Sequence, residues 1–258
     1  MDRQQSLSNP KQTENMKAKI VFVFTILLMI AIQNLTGQRS IYVDNVDLKS
    51  SEMCLTGELF TPDQVIDGTT YFNSEWLPGD IYLSNGEIVR NKFIKYNGLL
   101  DELFWKEPKS NNVIKLDKEA IRQFHFQNLN GDSTIYFRKI KGKRNAIADS
   151  GEFFAQVVYD GSLSLFVLHT YKTAGTELIR KNGVLFEKVN YVEVPVYIFR
   201  LTNNNTFVFK SLNRKRLYSI SPANSEKIKE FLKTNRTRDF KDISYLRRLT
   251  QFLGTLVN

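Results

Sequence analysis

The sequence has 258 residues, of which 42% are hydrophobic and 24% charged, and its formal net charge is +9. This composition excludes disorder over most of the chain, because it supplies enough apolar surface for a core. The positive charge is compatible with nucleic acid, anionic lipid or a phosphorylated surface as a partner, but the Lys and Arg residues are spread out, which favours a solvated surface. Their densest groups, Lys139–Arg144 and Arg214–Arg216, are predicted to lie in exposed turns.

Residues 1–37 have the pattern of a secretory signal peptide. Two lysines precede the run Ile20–Ile32, which is apolar except for one threonine and is too short to span a bilayer comfortably as a helix. We expect cleavage after Gly37, so that the mature protein begins at Gln38 and is exported. An uncleaved N-terminal anchor is the alternative, and Met16 is an alternative start that would give a more typical signal peptide.

The single cysteine, Cys54, limits how an exported chain can be stabilised. One cysteine cannot form an internal disulfide, so stability must come from the burial of a core. Cys54 stands in a short strand-like run and is predicted to be a small buried hydrophobic residue.

Residues 38–220 carry the signals of an antiparallel β meander. Six Asn-Gly or Asp-Gly pairs supply turn residues that tolerate positive φ, and short runs rich in Ile, Val, Phe, Tyr and Thr lie between them. The clearest hairpins are predicted at residues 80–96, 152–171, 176–188 and 194–212. Strands with apolar residues on both faces indicate a barrel-like or sandwich body, so the predicted fold class is mainly β.

The hydrophobic period changes after residue 221. Apolar residues recur at helical spacing in two places, at Ile228, Phe231 and Leu232 and again at Ile243, Leu246, Leu249 and Leu253. We therefore predict that residues 221–258 form two short helices packed on the β body, the first with Ser225 as its N-cap. The basic outer faces of these helices are either solvated or in contact with a membrane surface.

Several motifs of the β body also occur in a known group of proteins. The stretch Trp76-x-x-Gly79-x-Ile81-x-Leu83-x-Asn85-Gly86 is followed by Lys95-Tyr96-Asn97, Asp101-Glu102-Leu103 and Ile121-x-x-Phe124. With the C-terminal segments 228–235 and 240–252, this pattern resembles exported proteins of unknown function from Bacteroidetes-type bacteria. The resemblance covers residues 70–126 and 225–253. It implies an exported, β-rich envelope protein, and it implies no activity and no catalytic residue. The expected location of such a protein is the periplasm or the outer membrane.

The sequence contains no catalytic or cofactor signature. No Walker, dinucleotide-binding or Gly-x-Ser-x-Gly pattern is present. Asp101 and Glu102 would face opposite sides of a strand, so they cannot form a facing acid–base pair, and Asp101 is expected to accept hydrogen bonds from turn amides. His125 is predicted on a polar strand face and His169 at a strand end, and neither has a second ligand at metal spacing. No catalytic residue, metal or cofactor is therefore predicted.

Eight aromatic residues are concentrated between residues 71 and 105. They form either core and cross-strand pairs or the lining of a cavity for an apolar ligand. If such a cavity exists, the candidate ligand-binding residues are Trp76, Tyr82, Tyr96 and Trp105.

Three functions remain open from the sequence. The first is a non-enzymatic envelope protein that binds or scaffolds an envelope partner through a β cavity or a sheet edge, and the second is a carrier of a lipid or other apolar small molecule. The third is a hydrolase whose carboxylates meet only in the fold. The export signal argues against nucleic acid as a partner. A filled core with an exposed apolar patch would favour the binding or scaffolding protein. A large apolar cavity would favour the carrier, and a buried carboxylate pair in a cleft would favour the hydrolase.

Overall fold

The computed structural model describes residues 55–60, 70–127, 134–143, 150–181, 183–235 and 239–257. All of them belong to the compact unit Tyr42–Asn258. The predicted signal segment, its cleavage site and Cys54 lie outside the described residues.

The described chain consists of thirteen strands followed by three α-helices. The strands are β1 (Gly57–Leu59), β2 (Leu77–Leu83), β3 (Ile88–Asn97), β4 (Glu102–Lys106), β5 (Val113–Leu116), β6 (Ile121–Phe126), β7 (Ile135–Lys143), β8 (Ser150–Tyr159), β9 (Leu163–Leu168), β10 (Tyr171–Lys181), β11 (Val184–Glu193), β12 (Val196–Leu201) and β13 (Thr206–Phe209). The helices are α1 (Arg214–Ile220), α2 (Ser225–Thr234) and α3 (Ile243–Leu256), with a 3-10 turn at Pro222–Asn224 between the first two.

Eleven strands form one antiparallel sheet in the order β1-β5-β4-β3-β2-β6-β7-β8-β9-β12-β13. Two meanders run outward from the pairing of β2 with β6. Among the described strands, β1 and β13 each have a single neighbour, so the sheet is open. The prediction of a mainly β, antiparallel meander is confirmed, and the open sheet agrees with a sandwich or meander body rather than a closed barrel.

The four predicted hairpins are present as β2–β3, β8–β9, β10–β11 and β12–β13. Gly86 and Gly183 adopt φ angles of 94° and 82° in their turns, a conformation that two-residue hairpin connections require and that glycine adopts without steric cost. Some boundaries differ: Tyr171, predicted to end a strand, begins β10, the β10–β11 hairpin is longer than residues 176–188, and β13 ends at Phe209 rather than at residue 212. The cationic groups predicted in turns also lie in regular structure, Lys139–Lys143 in β7 and Arg214–Arg216 at the start of α1.

The first half of the sheet encloses an aromatic cluster formed by Tyr96, Phe124, Phe137 and Phe154. All four side chains are fully buried. The rings of Phe124 and Phe137 stack with centroids 4.9 Å apart, and the ring of Tyr96 contacts the other three at 5.0–6.2 Å. Aromatic side chains bury large apolar areas, so the interior of this half is filled by its own residues.

The helices pack on one face of β8, β9 and β12. Leu165 and Phe199 share a buried cluster with Leu249 and Leu253 of α3. The opposite face of the same strands carries a separate buried cluster that includes Phe166, so β9 is buried on both faces. Strands β10 and β11 depart from the ends of β9 and β12, which are held by packing on both faces.

The two predicted C-terminal helices are present as α2 and α3. Asp242 caps α3, its carboxylate accepting a hydrogen bond from the amide of Ser244 at 2.8 Å. Ser225, predicted as the N-cap of α2, is instead its first helical residue, and Asn224 occupies the cap position.

The structure adds a third helix, α1, so the helical region begins at Arg214, before the predicted boundary at residue 221. Only Leu217 and Ile220 of this short helix are buried, which is too few for a helical period to be visible in the sequence. Its start is fixed by Asn213, whose side-chain oxygen accepts from the amide of Arg216 at 2.9 Å.

Candidate binding surface

Strands β10 and β11 form a two-stranded ribbon, residues 171–193, inserted between two neighbouring strands of the main sheet. Strand β9 pairs with β12, with Leu168 opposite Val196, and the chain between these two residues leaves the sheet and returns to it. Within the described chain, β10 and β11 pair only with each other. An isolated two-stranded ribbon is marginally stable in water, so this ribbon depends on the fixed positions of its two ends.

Polar contacts hold the base of the ribbon together. The amide of Val194 donates to the carbonyl of Thr170 at 2.7 Å, and the hydroxyl of Thr170 donates back to the carbonyl of Val194. One residue further in, Nδ1 of His169 lies 2.5 Å from Oε1 of Glu193, and Nε2 of His169 lies 2.9 Å from Oε1 of Gln156. His169, a buried residue at the end of β9, thus connects the ribbon to β8.

The electrostatics of the base follow from these contacts. The hydrogen bond with His169 holds the pKa of the Glu193 carboxyl below its ordinary value, against the effect of burial. Burial, aided by the nearby Glu193 charge, raises the pKa of the Tyr171 hydroxyl to about 12. Glu193 therefore carries its negative charge at neutral pH while Tyr171 stays protonated.

The strands of the ribbon are in regular register except at one bulge, between Thr173 and Gly175. Beyond the bulge, Glu177 lies opposite Lys188, and the two side chains form an ion pair with Nζ and Oε1 3.1 Å apart. Bulges increase the local twist of a ribbon and leave one residue unpaired.

Both faces of the ribbon are exposed. All seven residues from Lys172 to Leu178 are exposed, although successive side chains of a strand point to opposite faces. No second layer of described residues therefore covers this part of β10. The exposed side chains include two leucines near the turn, Leu178 at 74% and Leu185 at 58% of full exposure.

Charge is distributed unevenly along the ribbon. The turn-proximal residues Arg180 and Lys181 are cationic, whereas the acidic residues Glu177, Glu187 and Glu193 are all further from the turn. Arg180 lies opposite Leu185 in the register. The end of the ribbon thus combines the exposed leucines with the exposed cationic side chain of Arg180.

The four aromatic residues predicted from the sequence do not line one cavity. Tyr96 is fully buried in the aromatic cluster, and Trp105 is 7% exposed with Lys92 Nζ 5.8 Å from its ring. Trp76 and Tyr82 are half-buried, Tyr82 with its ring centroid 5.8 Å from that of His125. Their ligand-binding role stays a prediction.

A pocket of about 430 Å³ lies at one end of the first half of the sheet. Its wall comes from the β2–β3 turn, the β5–β6 turn and the residues before β1. The lining residues are Leu55, Thr56, Leu83, Ser84, Asn85, Glu87, Leu116, Asp117, Ala120 and Ile121. The floor is mainly aliphatic, and Glu87 and Asp117 add acidic groups. None of the four predicted aromatic residues lines this pocket.

Asp101 is the centre of a buried polar network rather than half of a catalytic pair. Its Oδ1 accepts from the hydroxyl of Tyr96 at 2.7 Å and from the amide of Phe154 at 3.1 Å, and its Oδ2 lies 2.5 Å from Nζ of Lys118. The sequence predicts that Asp101 accepts hydrogen bonds from turn amides; the structure shows it accepting from the strand amide of Phe154, while the side chain of Asn97 accepts from the turn amides of Leu99 and Leu100. The network ties the β3–β4 turn to β8.

His125 and Asp80 form a second buried polar pair. The expectation of a polar strand face for His125 is only partly right: it shares its face with Tyr82 and Tyr136 but is itself buried. Its Nε2 lies 3.7 Å from Asp80, and its Nδ1 has no hydrogen-bond partner in the described part of the chain. Burial lowers the pKa of His125, which favours a neutral ring.

Asp80, the second buried carboxylate, also has partners of its own. It accepts from the amide of Asn91 at 2.8 Å and lies 3.4 Å from the guanidinium of Arg90. No hydrogen bond or ion pair joins Asp80 to Asp101 within the described ranges. Nowhere in those ranges do three or more His, Cys, Asp or Glu side chains come together in a way that could hold a metal ion.

No family model, curated protein or solved structure matches this chain. None of the described helices combines the length and hydropathy that crossing a membrane requires. The candidate surface is therefore defined by the geometry of this chain alone.

Sequence reasoning predicted the hairpin at residues 176–188 but not that it stands outside the sheet. One signal could have indicated this. The first half of β10, Tyr171–Thr176, contains no aliphatic residue larger than alanine, so it has little to bury on either face. On β10, aliphatic residues larger than alanine appear only from Leu178 onward.

Proposed function

We propose that this chain is an exported, non-enzymatic protein of the cell envelope that binds a partner through the β10–β11 ribbon. The observation that carries the proposal is the pair of leucines, Leu178 and Leu185, exposed on a ribbon that no other described strand joins. Neighbouring apolar side chains that are exposed to water and lie outside the buried core are typical of interaction surfaces. The filled aromatic cluster and the separate, fully partnered carboxylates give less support to a carrier or a hydrolase.

Export is part of the proposal and is supported by the sequence of residues 1–37 and by the resemblance of residues 70–126 and 225–253 to exported proteins of Bacteroidetes-type bacteria. The periplasm and the outer membrane are the proposed locations. The absence of disulfides is compatible with export, because the described residues build their stability from buried apolar clusters.

Site-specific photo-crosslinking tests the binding proposal directly. A photoreactive amino acid replaces Leu185 in one variant and Val208 in another, and both variants are illuminated in the envelope of cells that produce the protein. Val208 is a matched control, because it is 53% exposed, close to the 58% of Leu185, but lies on β13 of the main sheet. We expect adducts from position 185 and not from position 208. Equal yields at both positions, or none, would overturn the proposal.

A carrier of an apolar small molecule is the second candidate, and the pocket of about 430 Å³ favours it. Its volume lies within the range of about 300–1,000 Å³ that small-molecule sites occupy. Native mass spectrometry of the chain, purified without detergent, should then show a co-purifying mass that is lost on denaturation. An Ala120→Trp variant fills the pocket and should lack that mass. A clean apo mass for both proteins would count against the carrier.

A further inference from the structure

We propose that the end of the β10–β11 ribbon docks on the surface of an anionic lipid bilayer. This inference rests on the proposed binding function and names its partner. The docking element is the segment Leu178–Leu185, which contains the turn and the last rungs of the ribbon.

The most exposed apolar side chains of the ribbon lie at its end. Leu178 and Leu185 are the most exposed large apolar side chains of the described chain, at 74% and 58%. The register places Leu178 opposite Glu187 and Leu185 opposite Arg180, so the two leucines share one face as diagonal neighbours. Ile179 lies between them in sequence and belongs to the opposite face. The end of the ribbon is therefore apolar on both of its faces.

The charges near the turn complement an anionic surface. Arg180 and Lys181 lie within the docking segment, while no acidic residue does. Two acids flank the segment: Glu177 is paired with Lys188 at 3.1 Å, and Glu187 lies opposite Leu178. The two cations of the segment exceed the single acid beside it that no described ion pair engages. Arg180 is exposed, so a phosphate can reach its guanidinium. Cations beside apolar side chains match the boundary between lipid headgroups and acyl chains.

The ribbon is long enough to bring its end away from the body. Strand β10 runs from Tyr171 to Lys181, and a strand rises about 3.3 Å per residue, which gives a length of about 30 Å. On β10, the intervening residues Lys172–Glu177 are all exposed and include no large apolar side chain, as expected of a stalk in water.

A bilayer explains this arrangement better than a protein partner. A protein partner that covers one face of the ribbon would leave Ile179 or the two leucines in water, whereas a bilayer surrounds an inserted end on both faces. A protein partner that adds a strand to an edge would use the backbone along the whole ribbon and would not require leucines at its end.

Position-specific fluorescence separates these partners. In the full chain with Cys54→Ser, an environment-sensitive fluorophore is attached at Leu178→Cys, Leu185→Cys or, as the control, Val208→Cys. Each protein is mixed with vesicles of phosphatidylcholine alone or of phosphatidylcholine with phosphatidylglycerol. We expect a blue shift and increased emission at positions 178 and 185 with the anionic vesicles, and no change at position 208. Since the label reports its own surroundings, vesicle binding through another part of the chain gives no signal at the ribbon.

Charge reversal tests the electrostatic part. Each unit charge near an anionic membrane is worth roughly a fivefold change in partition, so Arg180→Glu should weaken the ribbon signal roughly 30-fold. Lys172→Glu is the matched control, because it makes the same change at the base of the same ribbon and should have a much smaller effect. Equal effects of the two substitutions would contradict docking through the end.

The failures of the two proposals are distinguishable. If the labels at positions 178 and 185 stay in water with anionic vesicles while photo-crosslinking at position 185 gives protein adducts, the lipid partner is wrong and the binding function stands. If neither experiment gives a signal at the ribbon, both proposals are wrong. Lipid adducts at position 185 together with the fluorescence shift would support both.

Discussion

The aromatic cluster and the β10–β11 ribbon place the same kind of residue in opposite surroundings. In the cluster, Tyr96, Phe124, Phe137 and Phe154 are fully buried and contact one another, so each large side chain contributes to the stability of the body. On the ribbon, Leu178 is 74% exposed and contributes little to stability. Burial in the core is sufficient reason for the large apolar residues of the cluster. The leucines of the ribbon have no such role in the described fold, so the reason proposed for them lies in a partner.

Removing one ring of the cluster gives the largest expected effect. Phe124→Ala should lower the free energy of unfolding by about 3–5 kcal/mol, because it deletes a fully buried ring and leaves a cavity among aromatic neighbours. Chemical denaturation measures the change. A loss below about 1 kcal/mol would mean that the cluster is not tightly packed and would break the comparison.

The buried network at Asp101 should give the next largest effect. Asp101→Asn removes the charge that pairs with Lys118 while keeping the shape, and Asn tolerates the positive φ of 61° at this position. We expect the free energy of unfolding to fall by about 2 kcal/mol. This is less than for a fully buried ion pair, because the Lys118 side chain is 31% exposed. Asp117→Asn, in an exposed neighbouring turn, is the control in denaturation experiments and should change stability far less.

The base of the ribbon should respond to acid. Because the pKa of Glu193 is lowered in the folded state, its contribution to stability is present above the ordinary pKa of 4.5 and is lost as pH falls through the lowered value. At pH 6, Glu193→Gln should lower the free energy of unfolding by about 0.5 kcal/mol. The value is small because the side chain is 44% exposed and its charge is screened by solvent.

At pH 3 the difference between the wild type and Glu193→Gln should shrink, since the wild-type carboxyl is becoming protonated too. Thermal unfolding at the two pH values measures it. A difference that is the same at both pH values would show that Glu193 acts through packing and not through its charge.

Much of the fold could be predicted from the sequence because its signals are local. Asn-Gly and Asp-Gly pairs such as Asn85-Gly86 fix hairpins through the φ angles of two residues, and the apolar spacing of Leu246 and Leu249 fixes a helix. Helix α1 was missed because Leu217 and Ile220 alone do not establish a period.

The candidate site could not be predicted in the same way, because it depends on β10 and β11 not pairing with the strands of the main sheet. The concentration of aromatic residues around Trp76 leads to the prediction of a ligand site there. The structure instead places Tyr96 in the core and Tyr82 on the outer side of β2. Pairing between distant strands such as β9 and β12, which leaves the ribbon outside the sheet, carries no local signature.

The leucines at the end of the ribbon should give the smallest effect on stability. Leu178→Ser and Leu185→Ser should each change the free energy of unfolding by less than about 0.5 kcal/mol, because both side chains are exposed and removing them leaves no cavity. Denaturation and vesicle partition are measured on the same protein, with Val208→Ser as the control. We expect partition to fall about tenfold per leucine, since each loses the transfer of its side chain out of water. If the ribbon variants instead destabilised the chain as Phe124→Ala does, the ribbon would belong to the core and its exposed leucines would need no partner.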